Sequence, residues 1–391
     1  MTDSPAPTRP RRILVVCWGV PRPDTNSADR RLVGLLRLMC RCHHVVLCCP
    51  TSEPAEDLLV SQRYADQLRE LGVRVPTLKT AEFDRFWFHR NISKRSYDVI
   101  FFEYWKAAWG HLAIARACQP WAKLIVDSVD VHFLRETAEM DFRPLGPDQR
   151  ATVSRNQQQE LETYRGADAV VVVTAEDQEA LAAYPGMPKL YRLPNIVPIR
   201  DRSPGPRRPE ILFVGGFNHT PNIDGIVWFV QEAWPTVKAA VPEAELTIVG
   251  NRPTPEVQAL GQVAGVTVVG YVPETDPYLD RAAVVIAPLR YGAGMKGKVT
   301  EALACGAAVV TTTISNQGFG AVSNEHLLVG DAPAEFAAQV VALLRDSSRA
   351  ERLGQAGRDL VARICAPEVV GHDLERLVAE VASQVQPTLG Q

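Results

Sequence analysis

Residues Ala287–Asn316 read APLRYGAGMKGKVTEALACGAAVVTTTISN: a strand ends, a glycine-rich loop follows, and a helix opens near Lys298. That order suits an anion. Gly292, Gly294 and Gly297 let the backbone approach a ligand closely, and the amides and dipole of a helix start favour negative charge. Lys298 adds a mobile cation suited to a diphosphate, and Met295 belongs to the same loop. Glu301 lies about one helical turn after Lys298, so both project toward the same side of the helix entrance. A carboxylate there repels phosphate but accepts hydrogen bonds from ribose hydroxyls. The plainer alternative is a tight surface turn followed by an exposed Lys298/Glu301 pair.

Short β-branched runs separated by helical segments surround this stretch. In the first half they are Ile13–Val16, Val45–Cys49, Val73–Leu78, Val99–Glu103, Leu124–Asp127 and Ala169–Thr174. The second half repeats the pattern with Ile211–Gly215, Leu246–Val249, Val266–Val269, Ala283–Ala287, Ala308–Thr312 and Leu327–Val329. Strands alternating with helices predict parallel sheets covered on both faces. Between the halves, NIVPIRDRSPGPRRP (Asn195–Pro209) is rich in Pro and Arg and reads as a linker. The expectation is an α/β chain with two doubly wound, Rossmann-like domains, 1–200 and 209–391, facing each other across a cleft. Helices predicted over Arg349–Arg363 and Val369–Val385 carry apolar stripes that read as packing surfaces.

A length of 391 residues exceeds what one core usually organises, which agrees with two domains. With 46% hydrophobic and 22% charged residues the composition is globular, and the net charge of -3 argues against a general nucleic-acid binder. No apolar run approaches a membrane span, and the polar start MTDSPAPTRPRR leads directly into a strand, so a cytoplasmic protein is expected. The eight cysteines sit mostly in apolar runs and read as free thiols. Cys40, Cys42, His43 and His44 lack the C-x2-C spacing of structural zinc, and no acidic cluster suggests a metal.

In open parallel sheets ligands bind outside the carboxyl ends of strands, so the loops after these runs are the functional ones. Asp127, Asp130 and His132 follow one buried strand in DSVDVH, and Glu103, Tyr104 and Trp105 end another. A carboxylate beside aromatic rings suits the hydroxyl edges and apolar faces of a sugar, while helix capping and core packing are the structural alternatives. In GVPRPDTNSADRR, Asn26 and Ser27 offer small polar contacts, Asp24 or Ser27 reads as a helix cap, and at least one of Arg30 and Arg31 is expected in solvent. FDRFWFHRNISKR (Phe83–Arg95) mixes aromatic and basic residues. It reads either as a docking patch for a membrane or lipid-linked acceptor, or as a loop partly packed and partly solvated.

GAGMKGKVTEALACGAAVVTT resembles the donor-binding segment of retaining glycosyltransferases of the GT-B fold, family 4. The resemblance extends to FVGGFNHTPNIDGIVWFV, AELTIVG, VGYVPETDPYLDRA and LLVGDAPAEFAAQVVALL, and to VPRPDTNSADRR, DSVDVHFLR, ADAVVVVT and LPNIVP in the first half. The subgroup it resembles is bacterial and builds polysaccharides, O-antigens and related glycoconjugates. It implies an N-terminal acceptor domain, a C-terminal nucleotide-sugar domain, and a last helix, about 369–385, crossing back to the first domain. It further implies that Asp130 contacts the transferred sugar or the acceptor, with His132 or Asp127 assisting proton movement. The family's paired glutamates have seven residues between them; Glu301 matches the second, but Ala293 stands at the first. Gly216 and Pro221 stand where many members carry Arg and Lys, so Lys298, with His219, must meet more of the diphosphate charge.

The resulting expectation is metal-independent, retaining transfer from a nucleotide-diphosphate sugar to a glycan, lipid-linked or small-molecule acceptor, with no cofactor. Two competitors share the architecture: a nucleotide-sugar epimerase, and a catalytically silent nucleotide-sugar binding protein, suggested by the missing first glutamate.

Overall fold

The computed structural model describes residues 9–49, 58–76, 88–89, 92–203 and 208–383. Two six-stranded sheets, all of whose strand pairs are parallel, organise them. The first contains β1 (Arg12–Val16), β2 (His44–Cys48), β3 (Val99–Glu103), β4 (Lys123–Asp127), β5 (Ala169–Val172) and β6 (Lys189–Arg192), in the order β2-β1-β3-β4-β5-β6. The second contains β7 (Glu210–Val214), β8 (Glu245–Val249), β9 (Val266–Gly270), β10 (Val284–Ala287), β11 (Val309–Thr311) and β12 (Leu328–Val329), in the order β12-β11-β10-β7-β8-β9. Helices cover both faces, which is why β3, β4, β5 and β10 are buried at every position and, apart from Glu103, Lys123 and Asp127 at strand ends, read as continuous apolar runs.

Strand order locates the site. It reverses direction between β1 and β3 in the first sheet and between β7 and β10 in the second, and a crevice opens at such switch points beyond the carboxyl ends of the strands. The loops after β1, β3, β7 and β10 are therefore the ones with room for a ligand.

Two strand expectations change. Over Val73–Leu78 the described part forms a single parallel bridge, Arg74 to Val46, and residues 77–78 lie outside the described residues. The strand Lys189–Arg192 was not anticipated, because KLYR occupies the edge of its sheet with no buried position and so carries no apolar run. Residues 83–87, 90 and 91 of the aromatic and basic segment also lie outside the described residues, while Phe88 and Ile92 are buried in the first core.

A helix over Ser347–Cys365 packs into the second core through Leu353, Leu360 and Val361. Pro367 then opens a last helix, Pro367–Ser383, whose Val370, Leu374, Leu377, Val378 and Val381 insert among residues of the first core such as Leu35 and Met39. Glu380 accepts from Tyr191 Oη at 3.0 Å, tying the helix to β6. Among the described residues no helix is long and apolar enough to cross a membrane.

Candidate active site

After β10, the chain passes through Gly292 (φ 134°) and Gly294 (φ 69°), backbone conformations that strain any residue with a Cβ. Lys296 fastens this turn: its buried ammonium donates to the carbonyls of Ala293 (2.9 Å) and Gly294 (2.7 Å). The helix Gly297–Ala304 begins immediately, so its first amides point out of the loop. Lys298 is not mobile. Its ammonium donates to Asn222 Oδ1, lies 4.6 Å from the Phe213 ring centre, and sits where a Cβ on Gly215 would meet it at 2.9 Å. Asn222 in turn donates to the Gly216 carbonyl at 2.7 Å, so the loops after β7 and β10 form one network.

Burial, reinforced by the nearby Lys296 charge, lowers the Lys298 ammonium to about 7, with Glu301 opposing the shift. Burial likewise lowers Lys296 to about 8, against the attraction of Asp177, Asp130 and Glu176. His219 is pushed down to about 3 by burial and by the cations Lys298 and Arg135, so its imidazole is neutral. The site is thus rich in cations held at the edge of deprotonation, a state that an incoming polyanion relieves.

The opposing wall comes from the ends of β3 and β4, at two strained residues, Tyr104 (φ 77°) and Val129 (φ 62°). The turn at Tyr104 sends its hydroxyl to His132 Nδ1. Asp130 Oδ1 lies 3.5 Å from the same nitrogen, and Arg135 Nε lies 2.9 Å from Asp130 Oδ2. Burial pushes the Asp130 carboxyl upward, but the His132 hydrogen bond and the charge of Arg135 outweigh it and leave it below its ordinary value. A Cβ placed on Gly294 would lie 3.5 Å from Asp130 Cβ, so the two walls meet at this point.

Asp130 is not the cap of the helix His132–Phe142. That part is played by Glu160, from the helix Pro147–Arg165, whose carboxylate accepts from the amides of His132 (2.8 Å) and Phe133 (3.0 Å) and from Tyr164 Oη (2.7 Å). Asp127 also moves out of the proton-handling set: fully buried, it is ion-paired with Arg31 and accepts the Val129 amide at 3.2 Å. Arg31, one of two arginines of which at least one is expected in solvent, is buried and bonds the Leu193 carbonyl as well, while Arg30 stays partly exposed. Neither Asp24 nor Ser27 caps the helix Ser27–Cys42; Asn26 does, accepting from Asp29 N at 2.8 Å. Asp24 instead accepts from Tyr64 and Tyr271, while Ser27 faces Gly297, 2.8 Å from where its Cβ would stand.

The halves also meet through Asn251, which donates to the Thr25 carbonyl at 3.1 Å, and through Arg30, 2.6 Å from Glu301. Sequence reasoning missed Lys296, Arg135, Asn222 and Glu160. Lys296 stands between Met295 and Gly297, and Arg135 three positions after His132, all residues already singled out, whereas Glu160 reaches the site from a distant helix with no local signal.

Glu103 ends β3 in register with Asp127. Burial, with Asp29 and Asp127 adding to it and Arg31 opposing, raises its carboxyl to about 8. A proton kept by the native chain and released by the unfolded one gives a stability fully present below the ordinary carboxyl range and lost as pH rises through about 8, with a slope of up to about 1.4 kcal/mol per pH unit. Glu103→Gln is therefore expected to reduce the fall in melting temperature between pH 5 and pH 8. An undiminished fall would mean that Glu103 is ionised in the native chain. Glu160, raised to about 8 by burial, adds a fall of the same sign that the variant retains.

Residues 28–195 match the family model described as glycosyl transferase 4-like domain, and residues 208–346 match that of glycosyl transferases group 1. The two matches fall on the two halves whose loops build the walls just described. The chain belongs to the glycosyltransferases.

This glycosyltransferase is similar in fold to sucrose-phosphate synthase of Thermosynechococcus elongatus, with a TM-score of 0.68, 17% identity, and coverage of 95% of this chain and 99% of that one. HepE of Anabaena, solved in complex with UDP and glucose, aligns with a TM-score of 0.70 and 12% identity over 95% of this chain and 100% of the other. These likenesses establish the GT-B architecture of two Rossmann-like domains. A protein of Klebsiella pneumoniae described as an uncharacterized 44.6 kDa protein in the cps region is 27% identical over 140 residues. That match covers 34% of this glycosyltransferase and only 36% of the relative, about a third of its length.

Proposed function

We propose that this glycosyltransferase moves a sugar from a nucleoside-diphosphate sugar to a glycan acceptor, with retention at the anomeric carbon and without a metal ion. The observation that carries the reading is the meeting of Lys296, Lys298 and the helix start at Gly297 with Asp130 and His132 across one cleft. As the bond to the donor breaks, negative charge grows on the diphosphate; preorganised cations and amides there stabilise it most when water is excluded. The ionised Asp130 is a weak base, so its work is electrostatic: it faces the positive charge developing on the transferred sugar and orients the acceptor hydroxyl. Retention follows the sequence resemblance, and the anomeric configuration of the product, read by NMR, tests it. HepE, crystallised with UDP and with UDP-glucose, supports a uridine-nucleotide donor as the first to try. TarM of Staphylococcus aureus, crystallised with UDP and alpha-GlcNAc-glycerol, supports a glycan or glycoconjugate acceptor. The Klebsiella relative's place in a cps region supports a role in polysaccharide biosynthesis.

Glu301 is assigned to the ribose of the donor. In this structure its carboxylate is held by Arg30 of the opposite half, so the donor must take that partner's place. Glu301→Ala is expected to abolish a preference for ribo- over 2'-deoxynucleotides of about tenfold, the scale of a hydrogen bond to a charged group. Arg30→Ala should keep the preference, because it removes the competitor and leaves the acceptor of the hydrogen bonds. Titration calorimetry with UDP and 2'-deoxy-UDP reads both; discrimination by Glu301→Ala equal to the parent's would return Glu301 to a purely structural part.

A further inference from the structure

Cys17 and Cys49 stand directly beyond the paired ends of β1 and β2, where Val16 is in register with Cys48. Cys17 N donates to the Cys48 carbonyl at 3.1 Å, so the parallel pairing continues to the two thiols. Their sulfurs are 3.6 Å apart and lie against the core beneath the helix Ser27–Cys42, whereas the Cys48 side chain points to the opposite face of the sheet. Parallel strands run about 4.8 Å apart, within the Cα separation that a disulfide spans. Cys17 is fully buried and Cys49 partly exposed.

We propose that Cys17 and Cys49 form a reversible dithiol–disulfide site, a modification site at the root of the loop that joins the two halves. The oxidant is a low-molecular-weight disulfide. The Cys49 thiolate, the one solvent reaches, attacks a sulfur of that disulfide, forms a mixed disulfide and releases one thiolate. Cys17 then attacks Cys49 Sγ, its proton passing to the second departing thiolate; the pair loses two electrons and two protons and the oxidant becomes two thiols. The Cys49 hydrogen bond and burial hold the Cys17 thiol well above its ordinary range, which makes this second step the slow one. Oxidation also removes the hydrogen bond that Cys17 Sγ donates to the Gly19 carbonyl at 3.1 Å. Gly19 opens the segment carrying Asp24 and Thr25 to Tyr271 and Asn251, so the oxidised chain begins this loop differently.

The test incubates the full chain with oxidised glutathione, alkylates remaining thiols under denaturing conditions, and maps cysteines by peptide mass spectrometry. The expected result is a Cys17–Cys49 cross-linked peptide, lighter by two hydrogens than the sum of the reduced peptides and lost on treatment with dithiothreitol. Cys48→Ser should retain the cross-link and Cys49→Ser should lack it, with melting curves of both variants checking that the fold is intact. Glutathione persisting on Cys49 with Cys17 fully alkylated, or a cross-link running to Cys48, would overturn the proposal. The readout is chemical and stands whether or not the transfer reaction is the one proposed.

Discussion

Asp130→Asn is expected to lower the transfer rate by about 100-fold or more, equivalent to about 2.7 kcal/mol of transition-state stabilisation, while leaving UDP affinity close to the parent's. The asymmetry follows from where the side chain stands. Asp130 belongs to the wall formed by β4, and the cations assigned to the diphosphate belong to the wall formed by β7 and β10. Asn retains the shape but cannot neutralise Arg135, 2.9 Å away, so some stability is lost as well. The double variant Asp130→Asn with Arg135→Gln separates the two effects, because it removes the unpaired cation together with the carboxylate. If the double variant recovers melting temperature but not turnover, the carboxylate acts on the reaction. Near-parental turnover in Asp130→Asn would remove it from the chemistry and leave His132, held by Tyr104 and Arg135, as the group to examine.

The second large effect concerns Lys298. Lys298→Met should weaken UDP binding at least tenfold, on the order of 1.5 kcal/mol, the scale of a charge-assisted hydrogen bond. Met keeps apolar volume over Phe213 and beside Gly215, so it is a gentler probe than Ala, which would leave space in a buried network. The more diagnostic result is the pH dependence. In the free chain the ammonium titrates near 7, and a diphosphate beside it raises that value, so binding above pH 7 takes up a proton. Affinity in the parent should therefore be constant below about pH 6 and fall by up to about tenfold per unit as pH rises through 7. Lys298→Met should remove that part of the slope and leave whatever Lys296 contributes nearer pH 8. An unchanged slope and affinity would show that Lys298 serves only to brace Asn222.

Much of this molecule is legible in one dimension because its signals are local. β3 was placed to the residue, Val99–Glu103, since a strand buried on both faces reads as a continuous apolar run, ended here by Glu103. The glycines at 292 and 294 announced their turn because only a residue without a Cβ adopts those conformations freely. The strand Lys189–Arg192 carried no such mark, as an edge position asks little of its side chains.

Polar residues were harder, because a charged side chain is chemically the same whether it meets substrate or structure. Asp127 and Asp130 are three positions apart in one motif, yet Asp127 turns inward to Arg31 while Asp130 turns to the cleft. The cap of the helix His132–Phe142 was sought among its own neighbours and comes from Glu160, brought there by the packing of a second helix. Lys298 looked mobile because the sequence does not show that Asn222, Phe213 and Gly215 surround it. Patterns that satisfy the backbone, the apolar period of strands and the glycine turns, are dictated by residues close in the chain, and the sequence alone determined two parallel sheets with a phosphate-suited loop. The pairing of charges depends on distances between residues scores of positions apart, so only the tertiary structure decided which carboxylates and cations belong to the scaffold and which face the cleft.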